Sequence, residues 1–392
     1  MQKILLVGIF ITLLELVGCT SNKQCLSLEK QNQSIKAIEK QQNEVVWMNE
    51  IYDLEDVDYK LYSSRLLDMY MIACALYFDF ESDYIMPETD KQTLYKEVKA
   101  YFSPYKNHKF ISNFGKYVDK EAKDVNGSVV YPLMMYGLSE TYYGLGVDEI
   151  QTTVFENGKA FNTFLTELKT FYDETNAEAF FENHYLIEKD IDTYISEEID
   201  VTLAKQLFEE MEKEVGKPDE SDIHYVGVLS VFRPNMGSAY HMYMGSDTYF
   251  VLQASPNGRG KVAQEYDIKM LLNTTIHEFL HLYINDEVAT LQEKINQLAQ
   301  GKTKQDYASS LYNNMPWYRI VDENLVRVIE TYLYAQSYED EEQAYKEILE
   351  PEIKAGFYYG DELYKAVKAC KEDKAERVID CIDQLVDTLF KY

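Results

Sequence analysis

Apolar and polar positions change rhythm several times along this chain of 392 residues, and each change marks an element or a break. After Lys3 an apolar run extends from Ile4 to Val17, short for a bilayer span and abruptly followed by polar residues. Residues 20–44 are mostly polar, rich in Lys, Gln, Asn and Ser, the texture of a flexible tether. Apolar residues return at Val45-Val46-Trp47-Met48. The stretch 63–78, with Leu66, Leu67, Met69, Tyr70, Met71 and Ile72, predicts a buried helix. Further helices are predicted over 93–102, 158–172, 180–197 and 201–215, so that 45–215 reads as a mainly helical region.

Gly216-Lys217-Pro218-Asp219 is a turn signal and the expected boundary to a second region, 216–392. There β-branched and aromatic residues predict strands at 223–232, 240–243 and 248–253, separated by the loop 234–238 and ended by the break 255–260. A long helix is predicted from about Val262, with Ile268, Leu271, Leu272, Thr275, Phe279 and Leu282 as its core-facing stripe. Another is predicted over 319–330, with Leu325, Val328, Ile329 and Tyr332 on its apolar face. Glu323, Arg327 and Glu330 share its other side, where a solvated ion-pair row is the plain expectation. The fold class is α+β: a mainly helical N-terminal part, then a small sheet and two long helices.

Composition narrows the functions. A hydrophobic fraction of 46% belongs to a globular protein. Asp and Glu outnumber Lys and Arg by 67 to 38, a formal charge of −29 that repels phosphate backbones and argues against a nucleic-acid partner. At the N-terminus, Leu16-Val17-Gly18-Cys19 resembles the lipobox of bacterial lipoproteins. That resemblance implies a signal peptide over 1–18, lipidation at Cys19, a tether over 19–44, and attachment to a membrane of the cell envelope, the outer membrane or cell surface included. The other cysteines, Cys25, Cys74, Cys370 and Cys381, show no metal-knuckle spacing. If Cys370 and Cys381 lie on one continuous helix they stand about 16 Å apart, which predicts packing residues or free thiols and no disulfide.

The chemistry concentrates in His277-Glu278-Phe279-Leu280-His281. Histidines four apart on a helix present both imidazoles to one ion, and Glu278, one position on, stands beside that ion as a general base for water. The expected ion is Zn2+. A third ligand must come from elsewhere: Glu323 is the first candidate, Glu330 the next, and Glu287 requires a sharp turn near Asn285. Arg327 would orient a neighbouring carboxylate. Tyr240, His241, Tyr243 and Tyr318 are oxyanion-donor candidates by type and neighbourhood.

His277-Glu278-Phe279-x-His281 and the Glu323-x-x-x-Arg327 helix together resemble the gluzincin branch of zinc metallopeptidases, specifically uncharacterised bacterial lipoproteins with an His-Glu-Phe-x-His motif. The resemblance covers about residues 223–336. It implies a zincin-like metallohydrolase domain over 216–392, with two histidines and a glutamate on zinc. It also implies Glu278 as general base and an edge strand that receives an extended peptide. The spacing from His281 to Glu323 is wider than in the thermolysin pattern, and Glu323 precedes Asn324 instead of following it. The expected function is zinc-dependent cleavage of peptide or protein substrates at the cell envelope. The alternative is a non-catalytic, zinc-stabilised envelope binding lipoprotein.

Overall fold

Strand formation begins earlier than the hydrophobic pattern indicates. A computed structural model describes residues 48–54, 58–80, 93–117, 133, 158–183, 200–216, 223–229, 238–244, 247–254, 268–338, 340–373 and 375–391. The signal segment, the tether and Cys19 lie outside these residues. Strands β1 (Met48–Leu54) and β2 (Tyr59–Ser64) form an antiparallel pair in the region expected to be helical. Tyr59, Leu61, Tyr62 and Ser64 of β2 are buried. The partner of β2 is β3 (Ile223–Leu229), aligned parallel with Tyr59 opposite Tyr225. Parallel strands need a long crossover, and here the intervening chain carries α1 (Arg65–Tyr77), α2 (Thr93–Phe102), α3 (Gly158–Glu174), α4 (Ala177–Asn183) and α5 (Val201–Val215).

Ser64 ends β2 and caps α1, its hydroxyl accepting from Leu67 N at 3.2 Å. Every residue from Leu66 to Leu76 is buried, because α1 is wrapped by aromatic side chains. Tyr70 packs near Phe114 and Phe164, and Phe110 against Phe171. Arg65 pairs with Glu178 on α4.

Two further strands, β4 (Ser238–Met244) and β5 (Asp247–Ala254), complete a mixed five-stranded sheet of order β1-β2-β3-β5-β4. β5 runs parallel to β3, and β4 pairs antiparallel with β5 as the last strand on that side among the described residues. Against β4 and β5 packs α6 (Ile268–Thr290), which in turn lies along α7 (Trp317–Tyr338). Phe279 of α6 is fully buried, its ring 5.3 Å from that of Tyr225 and 6.2 Å from that of Phe208 on α5. The Tyr283 hydroxyl meets that of Tyr225 at 2.8 Å, and Tyr225 donates to Glu212. Helix α6, strand β3 and helix α5 are thereby fixed to one another by both apolar and polar contacts.

α7 is surrounded: α5, α6, the helix Gly360–Glu372 and the segment 341–349 all pack on it. Its Glu-Arg side is therefore not a solvated row; Asp322, Arg327 and Glu330 are buried. Buried charges persist only where they are paired, and the pairing constitutes the site described below. After α7 come a π turn (Tyr345–Leu349), α8 (Glu350–Ala355), α9 (Gly360–Glu372) and α10 (Ile382–Phe390).

One expectation changes here. Cys370 and Cys381 form a disulfide with Cα atoms 6.2 Å apart, because α9 ends at Glu372 and the chain re-enters a short helix at Val378–Cys381. The intervening residues carry only Ala375 as an apolar side chain, too little to continue a buried stripe. Buried Glu214 of α5 instead holds the reversal, accepting from Val378 N and Lys371 Nζ at 2.9 Å each. Among the described residues, no helix is long and apolar enough to cross a membrane.

Candidate metal centre

Two helices supply the site. His277 and His281 project from α6 at successive turns, their ring centroids 5.0 Å apart and planes at 82°. Glu323 faces them from α7: Oε2 lies 4.0 Å from His277 Nε2 and Oε1 3.7 Å from His281 Nε2. One ligand atom from each of the three residues falls within a 4.8 Å set. Donors around a tetrahedral zinc at 2.0–2.1 Å lie about 3.4 Å apart, so modest side-chain rotations bring these atoms to an ion. Two imidazoles and one carboxylate fit the donor chemistry of a catalytic zinc, which takes three protein ligands and a water.

The outward nitrogens are committed elsewhere. His277 Nδ1 lies 2.9 Å from Glu330 Oε2, and His281 Nδ1 lies 2.8 Å from Asp322 Oδ2. These bonds engage each Nδ1 and turn each Nε2 toward Glu323. Because His277 pairs with the later carboxylate and His281 with the earlier one, α6 and α7 run antiparallel at the site.

Burial separates the two imidazoles. It pushes His277 down to about 4, helped by the positive charge of Arg327. Burial also opposes charge on His281, but the hydrogen bond and charge of Asp322, with Glu323 and Glu278 nearby, raise it to about 9. Burial raises Glu330 to about 8, so near neutrality it faces a neutral His277 as a neutral acid. Burial would raise Glu323 as well, yet Arg327 and the two histidines outweigh it and hold that carboxyl below its ordinary value. The chain thus keeps its candidate ligand carboxylate ionised and one imidazole free of a proton before any ion arrives.

Comparison of the chain with protein-family models, curated proteins and solved structures returns no match in any of the three.

Of the residues singled out by sequence, the structure brings His277, His281, Glu323, Arg327 and Glu330 together. Glu330 is placed on the outer nitrogen of a histidine, on the far side of the ring from the common centre. Glu287 is exposed, and it lines a separate cleft with Arg377 and Asp380. Glu278 is partly exposed on α6, and none of the described residues hydrogen-bonds its carboxylate. Tyr240, His241 and Tyr243 lie on β4, where only the backbone is described. Tyr318 is partly buried on α7, with Arg319 over its ring at 5.5 Å.

Three residues escaped sequence reading. Asp322 could have been noticed as the acid adjoining Glu323. Tyr312, whose hydroxyl donates to Glu323 Oε2 at 3.2 Å, and Glu352, which binds Arg327, sit on other elements and left no local signal.

Proposed function

We propose that the chain is a zinc-dependent hydrolase, a gluzincin-type metallopeptidase cleaving peptide bonds at the cell envelope. The observation that carries this reading is the convergence of His277, His281 and Glu323, with both imidazole Nδ1 atoms bound to buried carboxylates. Bound zinc supplies Lewis acidity, polarising a carbonyl and acidifying a water. Glu278 adjoins His277 on α6 and takes the proton from the attacking water, then delivers it to the leaving amine. Asp322 and Glu330 hold the two rings in orientation, and Arg327 holds the Glu323 carboxylate. A peptide substrate is supported by β4, the last strand of the sheet beside α6, whose backbone an extended chain could extend by pairing.

Export through the signal over 1–18 and attachment through lipid on Cys19 belong to the same proposal, as does a peptide or protein substrate in the envelope. A zinc-stabilised binding lipoprotein would use the same three ligands, but it has no need of a carboxylate placed as Glu278 is. Metal analysis of the full chain tests the site: about one zinc per chain is expected, lost in His277→Ala. A peptide-cleavage screen then compares wild type with Glu278→Gln, which should keep the ion and lose turnover. Protein that holds no stoichiometric zinc after zinc is supplied would sink the hydrolase reading. Zinc retained without cleavage, and without any difference in Glu278→Gln, would leave the binding lipoprotein.

A further inference from the structure

Arg327 is 8% exposed, and its guanidinium has neighbours on several sides. Nη1 donates to the Glu323 carboxylate and, at 2.8 Å, to the Glu323 backbone carbonyl. Nε donates to Glu352 Oε2 at 2.6 Å. The Phe357 ring centroid lies 3.8 Å from Cζ, a stacked cation–π contact. Glu323 Oε2 therefore receives both Arg327 and the Tyr312 hydroxyl, while Oε1 is the oxygen 3.7 Å from His281 Nε2.

Glu352 comes from α8, outside the two helices that carry the ligands. Its reach depends on two backbone features. The π turn Tyr345–Leu349 adds a residue to the turn before α8 and so resets which side chains face α7. Gly356 then ends α8 with φ +123°, where a Cβ would stand 2.9 Å from Ser309 Cα, and Phe357 follows directly into its place beside Arg327. Without Glu352, the fork keeps Glu323, the Phe357 ring and a 3.4 Å contact from Nη2 to the Tyr312 hydroxyl, itself bound to Glu323, so it could swing with the Glu323 side chain. A second carboxylate on Nε fixes its plane.

We propose that Glu352 is a positioning residue of the metal centre: by anchoring Arg327 it keeps Glu323 Oε2 engaged, so that Oε1 alone serves the ion. This rests on the metal-centre reading above. Cobalt titration of the full chain tests it, since the visible bands of Co2+ report coordination number independently of turnover. In Glu352→Ala the ion should bind about 10-fold more weakly, the lower end for loss of an outer partner. Its bands should shift as the second carboxylate oxygen is released. Glu352→Gln keeps an acceptor for Nε and should restore the wild-type spectrum. In an Arg327→Lys background, where no fork can bridge the two acids, Glu352→Ala should add nothing further. Glu352→Asp, which keeps charge without reach, takes the place of Glu352→Ala if that variant does not fold. Wild-type affinity and bands in the Glu352 variant, or equal losses in both backgrounds, would overturn the proposal. A wild-type chain that takes up neither cobalt nor zinc would remove the metal-centre reading itself.

Discussion

Replacing Glu330 separates an orienting carboxylate from a ligand. Glu330 is 4% exposed and sits 2.9 Å from His277 Nδ1, so water cannot readily take its place in Glu330→Ala. Leaving that ring nitrogen buried without a partner costs about 1–3 kcal/mol. Loss of an outer carboxylate from a ligating histidine typically weakens a metal site by about 10–100-fold, or roughly 1.4–2.8 kcal/mol. The two ranges agree, and Glu330→Ala is expected to retain one ion per chain with Kd raised within that span. Glu330→Gln should bind near the wild-type level, because its amide oxygen still accepts from Nδ1. Glu323→Ala, by contrast, should lose stoichiometric zinc. The assay is competition of the full chain with a chromogenic chelator at neutral pH, beside metal analysis of the dialysed protein. Stoichiometric zinc in Glu323→Ala, together with none in Glu330→Ala, would refute the assignment by exchanging the two roles.

Stability without metal should depend on pH in a defined sense. Burial raises Glu330 to about 8; His281 reaches about 9 although burial opposes its charge, because Asp322 outweighs burial. Both values exceed the unfolded ones, so the folded chain holds protons that the unfolded chain releases as pH rises. The denaturation midpoint of chelator-treated protein should fall between pH 6.5 and 9, and Glu330→Gln should flatten that fall; a rise across this window would contradict it. His277, pushed down to about 4 chiefly by burial, acts in the opposite sense below 6.5, its share of stability being lost as pH falls. The disulfide closes a loop of sequence separation 11. Replacing Cys370 and Cys381 together by alanine should cost about 3 kcal/mol on the chain-entropy account. Denaturant curves would measure that loss, and zinc content should not change.

Local pattern alone was enough to delimit several elements. Helices 93–102 and 201–215 and the strands around 223–229 and 247–254 follow from short-range periodicity, which acts within one or two turns. Strands β1 and β2 were missed for the converse reason. Each is short and amphipathic, and β2 is stabilised by β3, whose partner residues lie more than 150 positions away. The disulfide was missed because a helix was extended through polar residues that the buried acid Glu214 turns back on themselves.

At the site the division is similar. Sequence by itself determined that His277 and His281 share a face, because one helix fixes their geometry: four residues bring two imidazoles to one side whatever surrounds them. It narrowed the third position to a few glutamates and went no further. Tertiary structure decided which nitrogens they meet, since packing of α7 against α6 directs Glu323 to the Nε2 atoms and Glu330 and Asp322 to the Nδ1 atoms. It also turned an expected surface ion-pair row into a buried network and recruited Tyr312 and Glu352 from distant elements. Spacing along a helix specifies direction around its own axis, whereas the partner that each side chain meets depends on how separate helices cross, and that is set by the whole core.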